Sequence, residues 1–378
     1  RGISSFQALS VSLSGRVGTG NIAGVAAAIG FGGPGAVFWM WIVAFLGAST
    51  AYVESALGQI YKEEDEGQYR GGPAYYIEKA MGQKWYAWIF AITTIIATGL
   101  LLPGVQSNSI GNAAELAFGG ETVISFFGDS ISATKIATAV IVVTVLGFII
   151  FGGVKRIAHF TQIVVPFMAL GYIVMALGVI AFHIGDLPAL VALIVTDAFT
   201  PMAGVGAAIG WGVKRGVYSN EAGQGTGPHA ASASEVEHPA QQGLVQAFSV
   251  YVDTLFVCSA TAFMILITNQ YYVTGVEVVV SGGTLANDVQ ANSPAFTQYA
   301  LESVLGGFGK TFVAVALFFF AFTTLLAYYS IAETNVAYIR RTFRFRGELV
   351  LLKLALMTSV FYGTVRSADL AWALGDVG

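Results

Sequence analysis

Residues 14–24 read Ser-Gly-Arg-Val-Gly-Thr-Gly-Asn-Ile-Ala-Gly and place three glycines in the middle of an apolar run. The run extends from about Ile3 to Ile29, which at about 1.5 Å per residue is long enough to cross a bilayer as a helix. The central glycines predict a helix that is broken at membrane depth, although glycines in membrane helices also serve close packing. Backbone groups freed by a break are not tolerated against lipid, so we expect them to line a binding cavity.

The break would present two opposite partial charges to one cavity. The carbonyls of Ser14 and Val17 end the inner half-helix, and their negative dipole end suits a small cation. The backbone amides that begin the outer half-helix form its positive end and favour a carboxylate. The substrate contacts that we predict at this break are Gly18, Thr19, Gly20 and Asn21.

Side chains on later apolar segments could complete the cation site. Thr323 and Thr324 offer hydroxyl oxygens of the kind that hard cations prefer, although adjacent threonines often bond back to their own helix instead. Asp253 lies near the level of the break, and ionisable groups within a span are costly unless they are paired or functional. Asp253 is therefore a candidate coupling charge, as a cation ligand, a proton carrier or a partner for Arg16.

A second glycine-interrupted segment repeats the first. Eight glycines fall between Gly15 and Gly35, and eight fall between Gly204 and Gly227. Each segment would open one half of the chain, which is the pattern of an inverted repeat with its binding site between the halves. The residues that we expect to complete the substrate site are Gln106, Phe199, Gly204, Gly206 and Trp211.

The hydropathy pattern predicts nine membrane spans and the start of a tenth. The spans are expected at about 3–29, 36–61, 85–118, 132–152, 157–183, 190–213, 243–268, 309–339 and 348–366, with 368–378 beginning the tenth. Polar residues predict a short surface helix within 62–84, a loop over 214–242 and a capping loop over 269–307. We expect a single transmembrane domain over 1–378, with a first repeat over about 3–183, a second over about 190–378 and an incomplete last helix.

Composition points to the same class of protein. The chain of 378 residues is 55% hydrophobic and only 11% charged, which is typical of a polytopic membrane protein. Twelve Lys and Arg residues in one set of predicted loops, against three in the other, place the N-terminus in the cytoplasm. The single Cys258 excludes an internal disulfide, and the four histidines lack metal-ligand spacing. A transporter is therefore expected rather than an enzyme, with the bilayer and a small substrate as partners and no nucleic acid.

Five sequence motifs resemble those of the alanine/glycine:cation symporter family, which includes the sodium:alanine symporters. They are Val-Gly-Thr-Gly-Asn-Ile-Ala-Gly (17–24), Gly-Gly-Pro-Gly-Ala-Val-Phe-Trp-Met-Trp (32–41), Gly-Gly-Pro-Ala-Tyr-Tyr (71–76), Arg-Gly-Val-Tyr-Ser-Asn-Glu-Ala-Gly (215–223) and Asp-Thr-Leu-Phe-Val-Cys (253–258). The resemblance implies an all-α, leucine-transporter-like fold, a five-plus-five inverted repeat with broken first and sixth core helices.

The resemblance also implies a function. It suggests that the chain imports alanine or glycine together with a co-transported sodium ion by alternating access, in a bacterial or archaeal inner membrane. By pattern, the implied sodium ligands are Ser14, Val17, Phe320, Thr323 and Thr324. The residues alone leave proton coupling open, and a channel or a membrane enzyme using the same cavity remains an alternative.

Overall fold

The computed structural model describes residues 2–126, 128–201, 203–274, 279–280, 283–286 and 288–378. Helices make up most of these residues, so the predicted all-α class is confirmed. The helices, in chain order, are α1 (Ser5–Arg16), α2 (Ala23–Gly32), α3 (Gly35–Ile60), α4 (Pro73–Met81), α5 (Lys84–Ile96), α6 (Leu102–Phe118), α7 (Ala133–Ile150), α8 (Gly153–Phe182), α9 (Leu187–Phe199), α10 (Val205–Asn220), α11 (Gly227–Ala233), α12 (Pro239–Tyr251), α13 (Ser259–Ile267), α14 (Ala295–Leu305), α15 (Gly307–Arg340), α16 (Glu348–Val365) and α17 (Ala368–Val377).

Seven continuous helical stretches within the described residues are long and apolar enough to cross a membrane. They are Gly35–Ile60, Lys84–Phe118, Ala133–Ile150, Gly153–Phe182, Pro239–Ile267, Gly307–Arg340 and Glu348–Val365. The pairs α1/α2 and α10/α11 supply two more crossings, because each pair spans with two half-helices that are individually too short. Nine crossings and the short α17 agree with the number of spans expected.

The first break lies where the glycines predict it. Helix α1 is capped at its start by Ser4, whose hydroxyl accepts a hydrogen bond from the Gln7 amide, and it ends at Arg16. Residues 17 and 18 leave helical geometry, and a single 3₁₀ turn over Thr19–Asn21 leads into α2. The predicted interruption of the first core helix is confirmed.

The second break lies further along the chain than we predicted. The predicted sixth span, 190–213, is instead two separate helices, α9 and the first half of α10. The predicted loop over 214–242 is helical over most of its length, and the unwound stretch is 221–226, between α10 and α11. Glu221, Gly223 and Gly225 have φ values of 55°, 83° and 81°, so the chain turns through the left-handed region three times.

This correction changes the charge count but not the expected orientation. Lys214 and Arg215 belong to α10 and not to a cytoplasmic loop. Without them the predicted cytoplasmic loops still hold ten basic residues against three in the outer loops. The N-terminus is therefore still expected on the cytoplasmic side.

Two of the other spans contain a widened helical turn. The third span opens into a π-type turn over Ala97–Leu101, just before Pro103, which has no amide hydrogen to donate. The seventh span has a longer one over Val252–Cys258, between α12 and α13. Such turns are frequent at functional sites, and the second one carries Asp253.

The connections carry the few strands. Antiparallel hairpins join β1 (Glu63–Asp65) with β2 (Gln68–Arg70), β3 (Val123–Phe126) with β4 (Asp129–Ser132), and β5 (Val273–Thr274) with β6 (Val279–Val280). The short helix predicted within 62–84 is α4, which follows the first hairpin. The predicted capping loop over 269–307 contains the third hairpin and α14, and it lies partly outside the described residues.

The outward faces of the spanning helices are apolar. Large side chains such as Phe148, Phe167 and Phe182 are mostly exposed, at 73%, 81% and 78%. Buried polar residues gather instead around the two breaks. A protein with an apolar exterior and a polar centre is suited to lipid, and the chain is a multi-pass integral membrane protein.

Candidate functional site

Gly18 lies at the centre of the first break, and any larger residue at this position would clash with its neighbours. A Cβ atom added to Gly18 would collide with the Thr324 hydroxyl and lie 2.8 Å from the side-chain oxygen of Gln106. The Gly18 amide donates to Asn21 Oδ1 at 2.8 Å, so a side chain of the same segment holds the turn. The absence of a side chain therefore lets α6 and α15 approach the backbone of the break.

Four oxygen atoms converge beside this break. The Thr324 hydroxyl lies 2.7 Å from the Ser14 carbonyl oxygen, 3.4 Å from that of Val17 and 3.0 Å from that of Phe320. Three of these oxygens are neutral backbone carbonyls whose partial negative charge points to one spot. All four residues are fully buried. The structure thus brings together four of the five residues that we predicted as sodium ligands.

The fifth predicted ligand, Thr323, is adjacent but turned towards its own helix. Its hydroxyl donates to the carbonyl oxygens of Phe319 and Phe320 at 2.9 and 3.0 Å. This is the back-bonded arrangement that threonines adopt within helices. Thr323 therefore reaches the cluster through the Phe320 carbonyl, which it shares with Thr324.

Gln106 and two tyrosines lie beside the Thr19 amide, where we predicted substrate contacts. Gln106 Oε1 accepts a hydrogen bond from the Thr19 amide at 2.9 Å. Its Nε2 donates to the hydroxyl oxygens of Tyr218 on α10 at 3.3 Å and of Tyr328 on α15 at 3.5 Å. Gly20 faces the same helix, because an added Cβ would lie 3.1 Å from the Tyr218 ring. The Gln106 oxygen occupies the place where a carboxylate would meet the amide of Thr19.

Asp253 lies on the opposite side of the break and is fully buried. Its Oδ1 accepts from Asn21 Nδ2 at 2.7 Å and from the Ser219 hydroxyl at 3.0 Å, and its Oδ2 accepts from the Thr254 hydroxyl at 2.9 Å. All three partners are neutral. The buried Arg16 attracts this carboxylate without bonding to it directly, and a proton or a bound cation is a second way to balance its charge.

Arg16 is the buried cation near the break, and it interacts electrostatically with Glu221, Glu54 and Asp253 without a direct ion pair among the described residues. Its Nε donates to the carbonyl of Asn220, the last residue of α10, at 2.6 Å. Its Nη1 donates to Gln246 Oε1 at 2.7 Å. Nη1 also bonds to the hydroxyls of Ser12 and Ser249. Arg16 therefore joins the end of α1 to the start of the second break.

The second break is held by a carboxylate from α3. Glu54 accepts hydrogen bonds from the amides of Gly223 and Gly225, each at 3.2 Å. Within the break, the Thr226 hydroxyl donates to Glu221 Oε2 at 2.8 Å. The two bonds to Glu54 satisfy backbone donors that the unwound segment frees inside the protein. The two breaks thus lie close together and are tied by polar side chains.

The structure does not bring all the predicted substrate residues to this site. Phe199 is 59% exposed and packs against Phe38 on α3, at a ring distance of 5.3 Å. Gly204 and Gly206 face open space, because α10 begins there and the break follows its other end. Trp211 lies nearer the outer end of α2, where its ring is 4.7 Å from that of Phe31.

Several site residues were missed by reasoning from the sequence. They are Tyr218, Ser219 and Tyr328, which contact Gln106, Gly20 or Asp253, and Glu54, which binds the amides of the second break. One signal was available in the sequence Gly223-Gln-Gly-Thr-Gly-Pro228. Alternating glycines followed by proline are typical of an unwound stretch before a new helix, and could have located the second break.

Comparisons with known proteins identify the family of the chain. The model of the sodium:alanine symporter family matches residues 1–378. The chain is 57% identical over 383 residues to YrbD of Bacillus subtilis (strain 168), which is named as a sodium/proton-dependent alanine carrier, covering 100% of this chain and 76% of that protein. It is 47% identical over 383 residues to the sodium/proton-dependent alanine carrier protein of Bacillus sp. (strain PS3), covering 100% of this chain and 82% of the relative.

A solved structure shares the fold. The crystal structure of MhsT in complex with L-phenylalanine matches with a TM-score of 0.66 over 99% of this chain and 81% of that chain. The sequence identity is 16%, so this likeness concerns the fold, which is that of the leucine transporter. The chain therefore belongs to the sodium:alanine symporter family, and it is an amino-acid–cation symporter of the cell membrane rather than an enzyme.

Proposed function

We propose that this protein imports a small neutral amino acid, alanine or glycine, together with sodium by alternating access. The observation that carries the proposal is the convergence of the Ser14, Val17 and Phe320 carbonyls on the Thr324 hydroxyl beside the first break. The amide of Thr19 lies on the other side of the same break, so cation and carboxylate would be held by one short segment.

The chemistry of the oxygen cluster favours sodium over a proton. Backbone carbonyls and a hydroxyl are neutral oxygen donors of the kind that bind hard metal cations. None of them takes up a proton near neutral pH, because none is a titratable group in that range. Proton binding at this cluster would need a basic or acidic side chain, and Ser14, Val17, Phe320 and Thr324 supply none.

Uptake of radiolabelled alanine into proteoliposomes at fixed pH tests the proposal. Sodium outside the vesicles is replaced by choline, which is too large for a cluster of oxygens about 3 Å apart. We expect uptake to be lost in choline and restored by sodium in a saturable manner. Equal uptake in choline with an inward proton gradient would contradict sodium coupling and favour the proton-coupled alternative.

The two threonines are expected to differ in their effect on sodium. Thr324→Ala removes the hydroxyl at the centre of the cluster, and the half-saturating sodium concentration for uptake should rise about tenfold, or roughly 1.4 kcal/mol. Thr323→Ala removes a hydroxyl that is bonded to its own helix, so a smaller rise of two- to threefold is expected. An unchanged sodium dependence in Thr324→Ala would show that this hydroxyl serves packing alone.

The substrate would be small because the site is closed by side chains on three sides. Gln106 covers the Thr19 amide, Tyr218 and Tyr328 hold the other end of the Gln106 side chain, and Gly20 packs against α10. We propose that the substrate carboxylate takes the place of Gln106 Oε1 on the Thr19 amide, which frees the Gln106 amide group to bind the substrate in turn. The argument for a small side chain thus rests on these residues rather than on Phe199 and Trp211.

Competition against labelled alanine tests both the anchor and the size limit. Glycine should compete with an affinity that differs from that of alanine by about 1 kcal/mol, the value of one methyl group. Leucine should compete far less well, and alaninol should fail because it has no carboxylate for the Thr19 amide. Strong competition by alaninol or leucine would mean that the substrate binds elsewhere.

A second coupled cation is favoured by one observation, the buried Asp253 carboxylate with its three neutral partners. We infer that Asp253 takes a cation or a proton during transport, in addition to the sodium at Thr324. Asn21 would then link the two positions, because its side chain bonds to both the Gly18 amide and Asp253. The names of the relatives mention both sodium and protons, which fits either choice.

The two breaks would act as the hinges of alternating access. Helices bend where intrahelical hydrogen bonds are missing. Here side chains from other helices bind the unwound residues of both breaks. Arg16 and Glu54 each hold the second break from a helix outside it, α1 and α3. Movement of α1 or α3 would therefore carry the second break with it.

A further inference from the structure

An apolar groove lies where α15 ends and α16 begins, against the middle of the third span. It has a volume of about 300 Å³, within the range of small-molecule sites. Its walls are aliphatic and aromatic, and they come from the third span, α15, α16 and the loop 341–347. The residues that define it here are Leu100, Val336, Phe343, Phe345, Leu352 and Ala355. The proposed transport does not use this groove.

The loop at the mouth of the groove alternates aromatic and basic residues. Phe343 and Phe345 line the groove yet remain 65% and 46% exposed. Arg344 and Arg346 alternate with them and are also exposed. Among the residues that the structure describes, neither arginine has a hydrogen bond or an ion pair. The loop therefore offers two free positive charges next to an apolar cavity.

The other charges at the groove are already paired. Arg340 lies 3.2 Å from Asp65 and 3.3 Å from Glu66, on the hairpin β1/β2, through its Nη2. Its Nη1 lies 3.9 Å from the carboxylate of Glu348, the acid that lines the groove. Arg344 and Arg346 are thus the charges at the mouth that have no partner among the described residues, and an anionic group would complement them.

We propose that this groove binds an anionic phospholipid of the cytoplasmic leaflet, with an acyl chain in the groove and its phosphate on Arg344 and Arg346. The predicted orientation puts the basic loop on the cytoplasmic side, where such arginines meet anionic headgroups. From Glu348 to Ala355 the groove follows α16 for about 10 Å. This length accommodates the part of an acyl chain nearest the headgroup, and not a whole soluble ligand. Phe343 and Phe345 sit at the level of the headgroups, a common position for aromatic side chains.

Native mass spectrometry of the purified protein tests the headgroup contact. The protein is titrated with phosphatidylglycerol or with phosphatidylcholine of the same acyl chains, and bound lipids are counted. We expect a several-fold preference for phosphatidylglycerol, lost in Arg344→Gln/Arg346→Gln. The matched control, Lys155→Gln/Arg156→Gln, removes two exposed charges from the first turn of α8, at the same predicted side of the membrane, and should keep the preference. Equal preference in both double variants would overturn the proposal.

A second variant tests the groove itself. Ala355→Phe fills the cavity and leaves both arginines in place, so the tightly bound lipid should be lost although the surface charge is unchanged. An unchanged lipid count in this variant would overturn the proposal, because the arginines alone would then hold the lipid. If a variant instead changed the number of protein chains in the detected complex and left the number of bound lipids unchanged, a second copy of the protein would occupy the groove. That result would also overturn the proposal. Neither measurement depends on transport. A negative result would therefore contradict the lipid proposal without contradicting the proposed symport.

Discussion

Gly18→Ala is expected to abolish alanine uptake while leaving the protein in the membrane. The added methyl group would collide with the Thr324 hydroxyl and lie 2.8 Å from the Gln106 oxygen. Relief of this clash must push α15 or α6 away from the break, and overpacking of this kind costs about 1–3 kcal/mol. Because Thr324 belongs to the proposed sodium site and Gln106 to the substrate site, one methyl group should damage both.

Gly24→Ala is the matched control for this variant. Gly24 lies in α2, six residues further along, and an added Cβ would have its nearest neighbours at 4.0 Å, which is ordinary contact. We expect near-normal uptake from it. Membrane expression and elution as a single species are measured for both variants. Normal uptake by Gly18→Ala would mean that α15 does not need to approach the break.

Asp253→Asn is the second change with a large expected effect. The substitution keeps the size of the side chain but removes the charge that Asn21, Ser219 and Thr254 hold in the buried site. If the carboxylate balances a transported cation, uptake at fixed sodium should fall by roughly ten- to a hundredfold, since bonds to charged groups contribute about 1.5–3 kcal/mol each.

Two comparisons make the Asp253 result interpretable. Ser219→Ala removes one hydrogen bond but keeps the carboxylate, so a fall of only a few-fold is expected. Uptake of Asp253→Asn is then measured against sodium and against external pH. Loss of the pH response alone would assign Asp253 to a proton, and a weaker response to sodium would assign it to a cation. Wild-type uptake and cation dependence would exclude a coupling role.

The first break could be predicted from the sequence because its cause is local. Glycines in the middle of a long apolar run interrupt a helix whatever its neighbours are. The carbonyls of Ser14 and Val17 follow directly from the position of the break. From the residues alone Thr324 was one candidate hydroxyl, and the resemblance to a known family joined it to these carbonyls, because contact between α1 and α15 is a tertiary property.

The second break was misplaced because its polar residues resemble a loop. The stretch from Lys214 to Gln242 is polar enough to predict exposure, yet Ser219, Asn220 and Glu221 are buried. Their hydrogen bonds are made to Arg16, Asp253, Thr254 and Thr226, which lie on other segments or around the turn. A hydropathy value is assigned to each residue separately. It therefore does not identify polar side chains that are buried because they hydrogen-bond to one another inside the membrane.

The misassignment of Phe199 follows from the same error. Once the sixth span was placed at 190–213, an aromatic residue beside Gly204 appeared to face the break. The actual α9 is a separate helix fixed to the start of α3, where the Gly35 amide donates to Asp197 at 2.7 Å and Trp39 donates to the Ala198 carbonyl at 3.1 Å. A single error in the boundaries of a span thus led us to expect Phe199, Gly204 and Gly206 beside the break, whereas the structure places them away from it.

The central claim is that one broken helix holds an amino acid and a sodium ion together, so that neither crosses without the other. The most direct test is the uptake of ²²Na⁺ into proteoliposomes driven only by an inward alanine gradient, with no initial sodium or pH gradient and with the membrane potential clamped. We predict that alanine drives sodium inward, that alaninol does not, and that Thr324→Ala reduces the sodium flux more than Thr334→Ala, whose hydroxyl bonds within α15. An alanine gradient that moves alanine but no sodium would contradict the account.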